Sequence, residues 1–481
     1  MHRRIYGIAI LLICLLIPGA PVWGKYTGEH NYIYDYWGSP NHSVAAFELY
    51  KVIDHKTMGS IALGSLDDVF CTEDSIYLVD TVSSRVHVLD DKLNLLKSIK
   101  VIRNQNHKIV VDDQTNQQLI LKNPEGVFVQ KESNELYIAD TGGERIIVLD
   151  ADGYYLKRII KRPDNMIGTT VFRPSKIVVD PSNRMYVVVQ SGSEGILELN
   201  EDGSFSRYFG VNKPKVNLID YFWKNLASEE QKKKMKKTYA PSFNNVDIDH
   251  EGFIYSTTFD KAALNMVFRL NPKGKNILRE TGYVQVKGDI HPVIENEFID
   301  IAVNDFGVYA VLDKETGRIF IYNFDGDLIN IFNEKGNMLG NVKEPTGIAW
   351  FNDYLIVSDK YLKCAFVFMP TRSGELALKG AEAYYRGEWE EAGRYYRKVI
   401  EMNSNYDIAY VGLGKNLLMQ DQYKEAMYYL RLGNNQTYYS KAFNGYRNEI
   451  LRKYFPLFFI GFLTLAFLII KSEVAFHKRE G

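Results

Sequence analysis

The sequence predicts a mainly β protein in which six similar antiparallel sheets close into a propeller, followed by a short α-helical segment and one transmembrane helix. Three observations carry that prediction. A tyrosine-centred block recurs as IYLVDTVSSRVHVLD at Ile76 to Asp90, LYIADTGGERIIVLD at Leu136 to Asp150 and VYAVLDKETGRIFIYN at Val308 to Asn323. After Arg372 the apolar spacing changes from alternating to helical. Near the C-terminus, Tyr454 to Ile470 runs 17 residues without a charge.

In chain order, His2, Arg3 and Arg4 precede the apolar run Ile8 to Ile17, then Pro18 and small residues before Gly24. This order predicts a secretory signal over residues 1–24, cut after Gly24 or Ala20, with an uncleaved anchor as the alternative. A content of 46% hydrophobic and 24% charged residues is that of folded domains, and 481 residues allow several. The formal net charge of -1 gives no general attraction to nucleic acid, which is not expected as a partner.

Weaker copies of the block stand at Met185 to Asn200, Ile254 to Asn271 and Tyr354 to Met369, making six units. Each opens with a strand after a turn, as in NPEGVFV from Asn123 and EPTGIAW from Glu344. The tyrosine block then supplies the second and third strands, and a segment such as YYLKRII from Tyr154 the fourth. Asp152-Gly153, Asp202-Gly203 and Asp325-Gly326 provide the positive φ that hairpin turns need. The sixth unit runs out after three strands near Met369, while Ala45 to Ile53 (AAFELYKVI) belongs to no unit. That segment is expected to complete the sixth sheet and close the ring, which protects its edges.

The proline-x-glycine-apolar entry followed by a Tyr-x-x-Asp hairpin resembles the NHL-repeat family of six-bladed β-propellers, over about Ala45 to Arg372. The resemblance implies that innermost strands line a central channel. It specifies a fold far better than a function.

Asp80 and Arg85, Asp140 and Arg145, and Asp313 and Arg318 share one spacing and are expected to form structural ion pairs, with Cys364 in the arginine's place opposite Asp359. Where each first strand begins stand Asp67 and Asp68, Glu125 and Gly126, Ser175 and Lys176, Asn244 and Asn245, Ile299 and Asp300, and Thr346 and Gly347. In a propeller one mouth would gather these carboxylates and amides around a single lysine. Such a ring is either a solvated funnel or a site for Ca²⁺ or the hydroxyls of a sugar. Asp67, Asp68, Glu125, Lys176, Asn245 and Asp300 are the ligand-binding candidates, and Asp68, Asn245 and Asp300 the metal candidates.

Gluconolactonase-like, calcium-dependent propeller hydrolases place a Glu, an Asn and an Asp at comparable strand starts. Asn245 and Asp300 are similar to these in blade order, whereas SLDDVF (Ser65 to Phe70) departs from their Glu-Gly-Pro pattern. His87, His107, His250 and His291 do not share the strand-start position that zinc-holding lyase propellers use. A hydrolase or lyase at the mouth is the alternative reading, with Ca²⁺ as its cofactor; the main reading needs none.

Between units three and four, Asn217 to Tyr239 lacks turn residues, and Ile219, Phe222, Trp223 and Leu226 follow helical spacing. Lys232, Lys233, Lys234, Lys236 and Lys237 then form a basic block, read either as a solvated helix end or, with Trp223, as a partner-binding arm. The extra segment Asn104 to Leu121 is expected on the same side, above the mouth.

Beyond Arg372, Gly380 and Gly414, Trp389 and Tyr423, and Ala392 and Ala426 are each 34 residues apart, the tetratricopeptide period. GEWEEAGRYYRKVIE (Gly387 to Glu401) resembles the second helix of such a repeat, and Tyr406 to Leu430 most of the next, although the terminal proline is missing and Asp421 replaces a glycine. Tyr384, Tyr385, Tyr395, Tyr396, Tyr428 and Tyr429 are expected to pack between helices, some of them lining a groove for a partner. Tyr439 to Tyr454 should cap the repeats and run into the span.

At about 1.5 Å per residue, Tyr454 to Ile470 nearly crosses a hydrocarbon core of roughly 30 Å. Basic residues flank both ends, so the signal sets the orientation and leaves residues 471–481 as a cytoplasmic tail. Cys71 and Cys364 fall in the first and last sheets, as a ring-locking disulfide or as two buried thiols.

These readings predict a single-pass cell-membrane protein, with a propeller (residues 45–372) and helical repeats (373–453) outside the cytoplasm before the span (454–470). It would bind or scaffold other envelope or membrane proteins or a carbohydrate-type ligand, presenting rather than transforming it, within an envelope or solute-uptake complex.

Overall fold

The computed structural model describes residues 31–34, 40–112, 116–166, 171–190, 192, 195–210, 242–259, 265–278 and 296–480. The predicted signal, and the insertion carrying Trp223, Lys232, Lys233, Lys234, Lys236 and Lys237, lie outside the described residues.

Six antiparallel sheets form the propeller. Blade one comprises Leu66–Cys71, Ser75–Asp80, Arg85–Asp90 and Leu95–Ile99; blade two Gly126–Gln130, Glu135–Asp140, Arg145–Asp150 and Tyr155–Ile160. Blade three comprises Pro174–Val179, Met185–Val189, Ile196–Leu199 and Phe205–Phe209; blade four shows Asn245–Ile248, Ile254–Thr257 and Val267–Leu270. Blade five runs Phe298–Val303, Tyr309–Asp313, Ile319–Tyr322 and Leu328–Phe332, and Tyr32–Tyr34 and Pro40–His42 extend it outward. Blade six takes Pro345–Phe351, Tyr354–Asp359 and Cys364–Pro370 from the C-terminal side of the ring and Phe47–Ile53 from the N-terminal side. Val52 pairs with Phe366 and Phe47 with Pro370, so the expected closure is observed.

In blade two the second strand is buried on both faces, because each inner strand is covered by the neighbouring blades. Phe70 of blade one meets Phe128 of blade two at 4.9 Å between ring centroids.

The aspartate of the tyrosine block has a different role from the one its spacing suggested. Asp80 accepts from the amides of Gly64 and Ser65, Asp140 from Lys122, Asp313 from Glu297, and Asp359 from Lys343 and Glu344. Each carboxylate thus ties the end of a second strand to the chain entering the first. Only Asp140 and Arg145 close as an ion pair, at 2.8 Å, among the described residues of the three expected pairs. His87 Nε2 stands 3.8 Å from Asp80, and Arg318 lies over the Tyr32 ring at 5.1 Å. Cys71 and Cys364 are both free thiols.

The segment between blades one and two is a wedge. Ile102, Leu119 and Leu121 are buried in one cluster with Val79 of blade one and Ile138 of blade two. Arg145 reaches the Ile120 carbonyl at 2.8 Å. Apolar side chains draw this segment into the seam instead of leaving it over the mouth.

Five helices follow: α1 (Arg372–Tyr385), α2 (Trp389–Met402), α3 (Asp407–Met419), α4 (Tyr423–Leu432) and α5 (Gln436–Glu480). Thr371 caps α1, accepting from the Gly374 amide, and its hydroxyl donates to the Ala45 carbonyl beside the closing strand. The two helix pairs repeat one close contact. A Cβ on Gly380 would lie 3.0 Å from Tyr396, and one on Gly414 would lie 2.5 Å from Leu430, its counterpart 34 residues on.

These helices dock on the loops of blades four to six at the end opposite the strand starts. Tyr384 stacks on Phe324 at 5.5 Å, Arg386 covers Phe306 at 4.7 Å, and the Tyr406 hydroxyl donates to the Ile329 carbonyl. Buried Lys415 binds Asp325 at 3.0 Å and also Asp327, both in a turn of blade five. Tyr384, Lys415 and Tyr438 turn toward blade five, whereas Tyr428, another of the tyrosines expected at a partner groove, is exposed. From Gln436 to Ser472, α5 is long and apolar enough to cross a membrane, and Phe458 and Phe467 on it are exposed.

Candidate functional site

A β-bulge at the start of the first strand recurs in four blades. The register shifts between Leu66 and Asp68, Pro174 and Lys176, Phe298 and Asp300, and Pro345 and Gly347. An extra residue in a strand re-aims the side chains on either side of it. The bulged residues Asp67, Ser175, Ile299 and Thr346 face one cavity, together with Glu125 of blade two and Asn244 of blade four. Every blade thus contributes a strand-start residue to a single mouth of about 430 Å³.

The cavity differs from the expected acidic ring around one lysine. Lys176, Lys314 and Lys360 offset Asp67, Glu125 and Glu344, and Val188, Val189, Phe243 and Phe259 supply an apolar wall. Lys314, Lys360, Gln190 and Phe259 were missed because they belong to the tyrosine block, or follow it, and that block reads as pure framework. A lysine directly after the block's aspartate, present in units five and six only, was the available signal.

The residues next to the bulges turn into the channel below. Asp68 holds the Lys176 ammonium and accepts from the Val127 amide of blade two at 3.1 Å. Asp300 accepts from Ile348 of blade six at 2.7 Å. Asp247, which strand-start reasoning passed over, accepts from Val303 of blade five at 2.7 Å. Three carboxylates on inner strands therefore latch blade one to two, four to five and five to six. Gly126 allows a similar close approach, since a Cβ there would lie 2.3 Å from the Ser175 carbonyl oxygen.

These bonds determine what the metal candidates can offer. Asn245 is buried with its side-chain oxygen turned to the Val246 amide, and Asp68 and Asp300 are engaged as described. No group of three or more His, Cys, Asp or Glu side chains is placed to hold a metal ion among the described residues. The donor set as arranged does not fit a calcium centre of the gluconolactonase type.

Burial raises the pKa of Asp68 and of Asp300 against the opposing pull of Lys176. For Lys176, burial acts downward but Asp68 and then Asp300 outweigh it, so its pKa rises and the ammonium stays charged. Asp247 is only half-buried by surface, yet it is enclosed by the inner strands. Burial pushes its carboxyl up from 3.8 to about 7 despite the Val303 and Ile248 amides. Folded chains then hold a proton that unfolded chains release, so this contribution to stability is full below pH 3.8 and is lost as pH rises to about 7. In thermal unfolding across that window, Asp247→Asn should flatten the pH slope by about one proton, or ~1.4 kcal/mol per pH unit. An unchanged slope in the variant would show that another group titrates.

No protein-family model matches the chain, and comparison with curated proteins finds no match either. Among solved structures, a streptogramin B lyase is similar at 11% identity and a TM-score of 0.41, covering 68% of this chain and 98% of that one. Virginiamycin B lyase from Staphylococcus aureus is similar at 9% identity and a TM-score of 0.41, covering 67% and 99%. The Cps50 (Swd1) β-propeller domain of Myceliophteria thermophila is similar at 10% identity and a TM-score of 0.40, covering 64% and 97%.

Proposed function

We propose that this chain is a membrane-anchored binding or scaffold protein that holds a ligand or partner at the mouth of an NHL-type propeller. The observation that carries the reading is the cavity to which all six blades contribute, of a size typical of ligand sites. In this reading residues 1–24 are a signal, 45–372 the propeller, 373–453 tetratricopeptide-like repeats, 454–470 the span and 471–481 a cytoplasmic tail. The propeller and repeats stand outside the cytoplasm. Because the helices pack on the end opposite the mouth and lead into the apolar helix, the mouth would be directed away from the bilayer. Its occupants would be another envelope or membrane protein or a carbohydrate-type ligand, within an envelope or uptake complex. Trp223 and the lysines from Lys232 to Lys237 would assist as a docking arm.

A photoreactive side chain at exposed Phe259 on the cavity rim, compared with one at exposed Tyr50 on the outer strand of blade six, tests the reading in native membranes. Mass spectrometry should find a defined adduct at Phe259 and none at Tyr50. Equal adducts, or none at Phe259, would overturn it.

A further inference from the structure

The lining of the mouth divides into two unlike halves, and we propose, resting on the binding reading above, that its ligand is a small amphipathic carboxylate. Around blades six, one and two the polar groups have partners, and Asp67 and Glu125 keep their negative charges because their donors are neutral. Lys360 lies 3.0 Å from Glu344, Glu125 accepts from Gln190 at 2.7 Å, and Asp67 accepts from the Ser65 hydroxyl at 2.7 Å. Lys176 is neutralised from below by Asp68.

Across blades three, four and five the wall is Val188, Val189, Phe243, Phe259 and Ile299. Beside it stands Lys314, whose side chain has no hydrogen-bond or ion-pair partner among the described residues. An ammonium group at the edge of an apolar wall gains most from a ligand that brings one negative charge and covers the wall with its body. An amphipathic cation whose body covered the same wall would bring its charge beside Lys314 and be repelled. A neutral sugar would need several unengaged donors and acceptors, whereas Glu125 is bonded to Gln190 and Glu344 to Lys360. Half-exposed Phe259 gives the apolar body a face to rest on.

Four probes separate these classes on the full chain in lipid nanodiscs: phenylacetate, phenethyl alcohol, phenethylamine and glucose, followed by ligand-observed NMR. Phenylacetate should bind, phenethyl alcohol should bind about tenfold more weakly, and the amine and glucose should not bind. Lys314→Gln should erase the difference between acid and alcohol while the alcohol still binds. Phe259→Ala should weaken both. If the alcohol, amine or glucose binds as well as the acid, or if Lys314→Gln leaves acid binding unchanged, the carboxylate inference falls and the mouth remains a binding site. If no probe binds, the inference falls; the Phe259 crosslinking then decides separately whether the mouth is a binding site.

Discussion

Replacing Lys415 with methionine should destabilise the protein by about 3–5 kcal/mol and uncouple its helices from its propeller. The ammonium is buried between Asp325 and Asp327 and lies 4.6 Å over the Tyr438 ring. Burial pulls its pKa down, but Asp327 and then Asp325 outweigh that, so the net shift is upward and the lysine is charged at any working pH. Removing the charge leaves two aspartates facing an apolar methionine in a closed interface. Two controls follow from the same geometry. Adding Asp325→Asn and Asp327→Asn to the methionine variant should recover most of the loss, since what is costly is leaving two partly buried carboxylates without the ammonium between them. In denaturation of the detergent-solubilised full chain, Lys415→Met alone should split one transition into two and open the chain near Thr371 to protease. A single transition at the wild-type midpoint would sink the expectation.

Phe47→Ala should cost a similar ~3–5 kcal/mol, for a different reason. Phe47 is buried in the strand that closes the ring and stacks 5.0 Å from Phe332 of blade five, with Trp350 of blade six at 6.2 Å. Truncation creates a cavity where two blades and the root of α1 meet, and it loosens the one strand that joins the two ends of the propeller. Hydrogen exchange should therefore rise first along Cys364–Pro370, whose outer edge that strand pairs. Uniform exchange through all six blades would mean that closure is not the weak seam.

What could be read in the sequence follows how local each cause is. Alternation and Asp-Gly turns are local, so the blades, the stray strand Ala45 to Ile53 and the strand-start residues all emerged from spacing. The long apolar helix was legible for the same reason. Asp247 was missed because it sits two residues past the strand start in blade four, where the described first strand pairs without a bulge. Lys415 reads as a solvent-exposed helix residue until blade five is placed against it. Arg85 and Arg318 copy the spacing of Arg145, yet spacing cannot say whether a guanidinium meets the aspartate or a ring across the sheet.

The strand-start bulges have an evolutionary consequence. At Asp67-Asp68 and Ile299-Asp300, adjacent residues answer to separate demands, the first to whatever enters the cavity and the second to the architecture beneath. A substitution at the first position can change what the mouth recognises without loosening the ring. Substitution at the second risks the ring itself. Descendants of this chain could thus exchange one ligand for another through single changes at cavity positions, while the latch residues one step along the backbone are held constant.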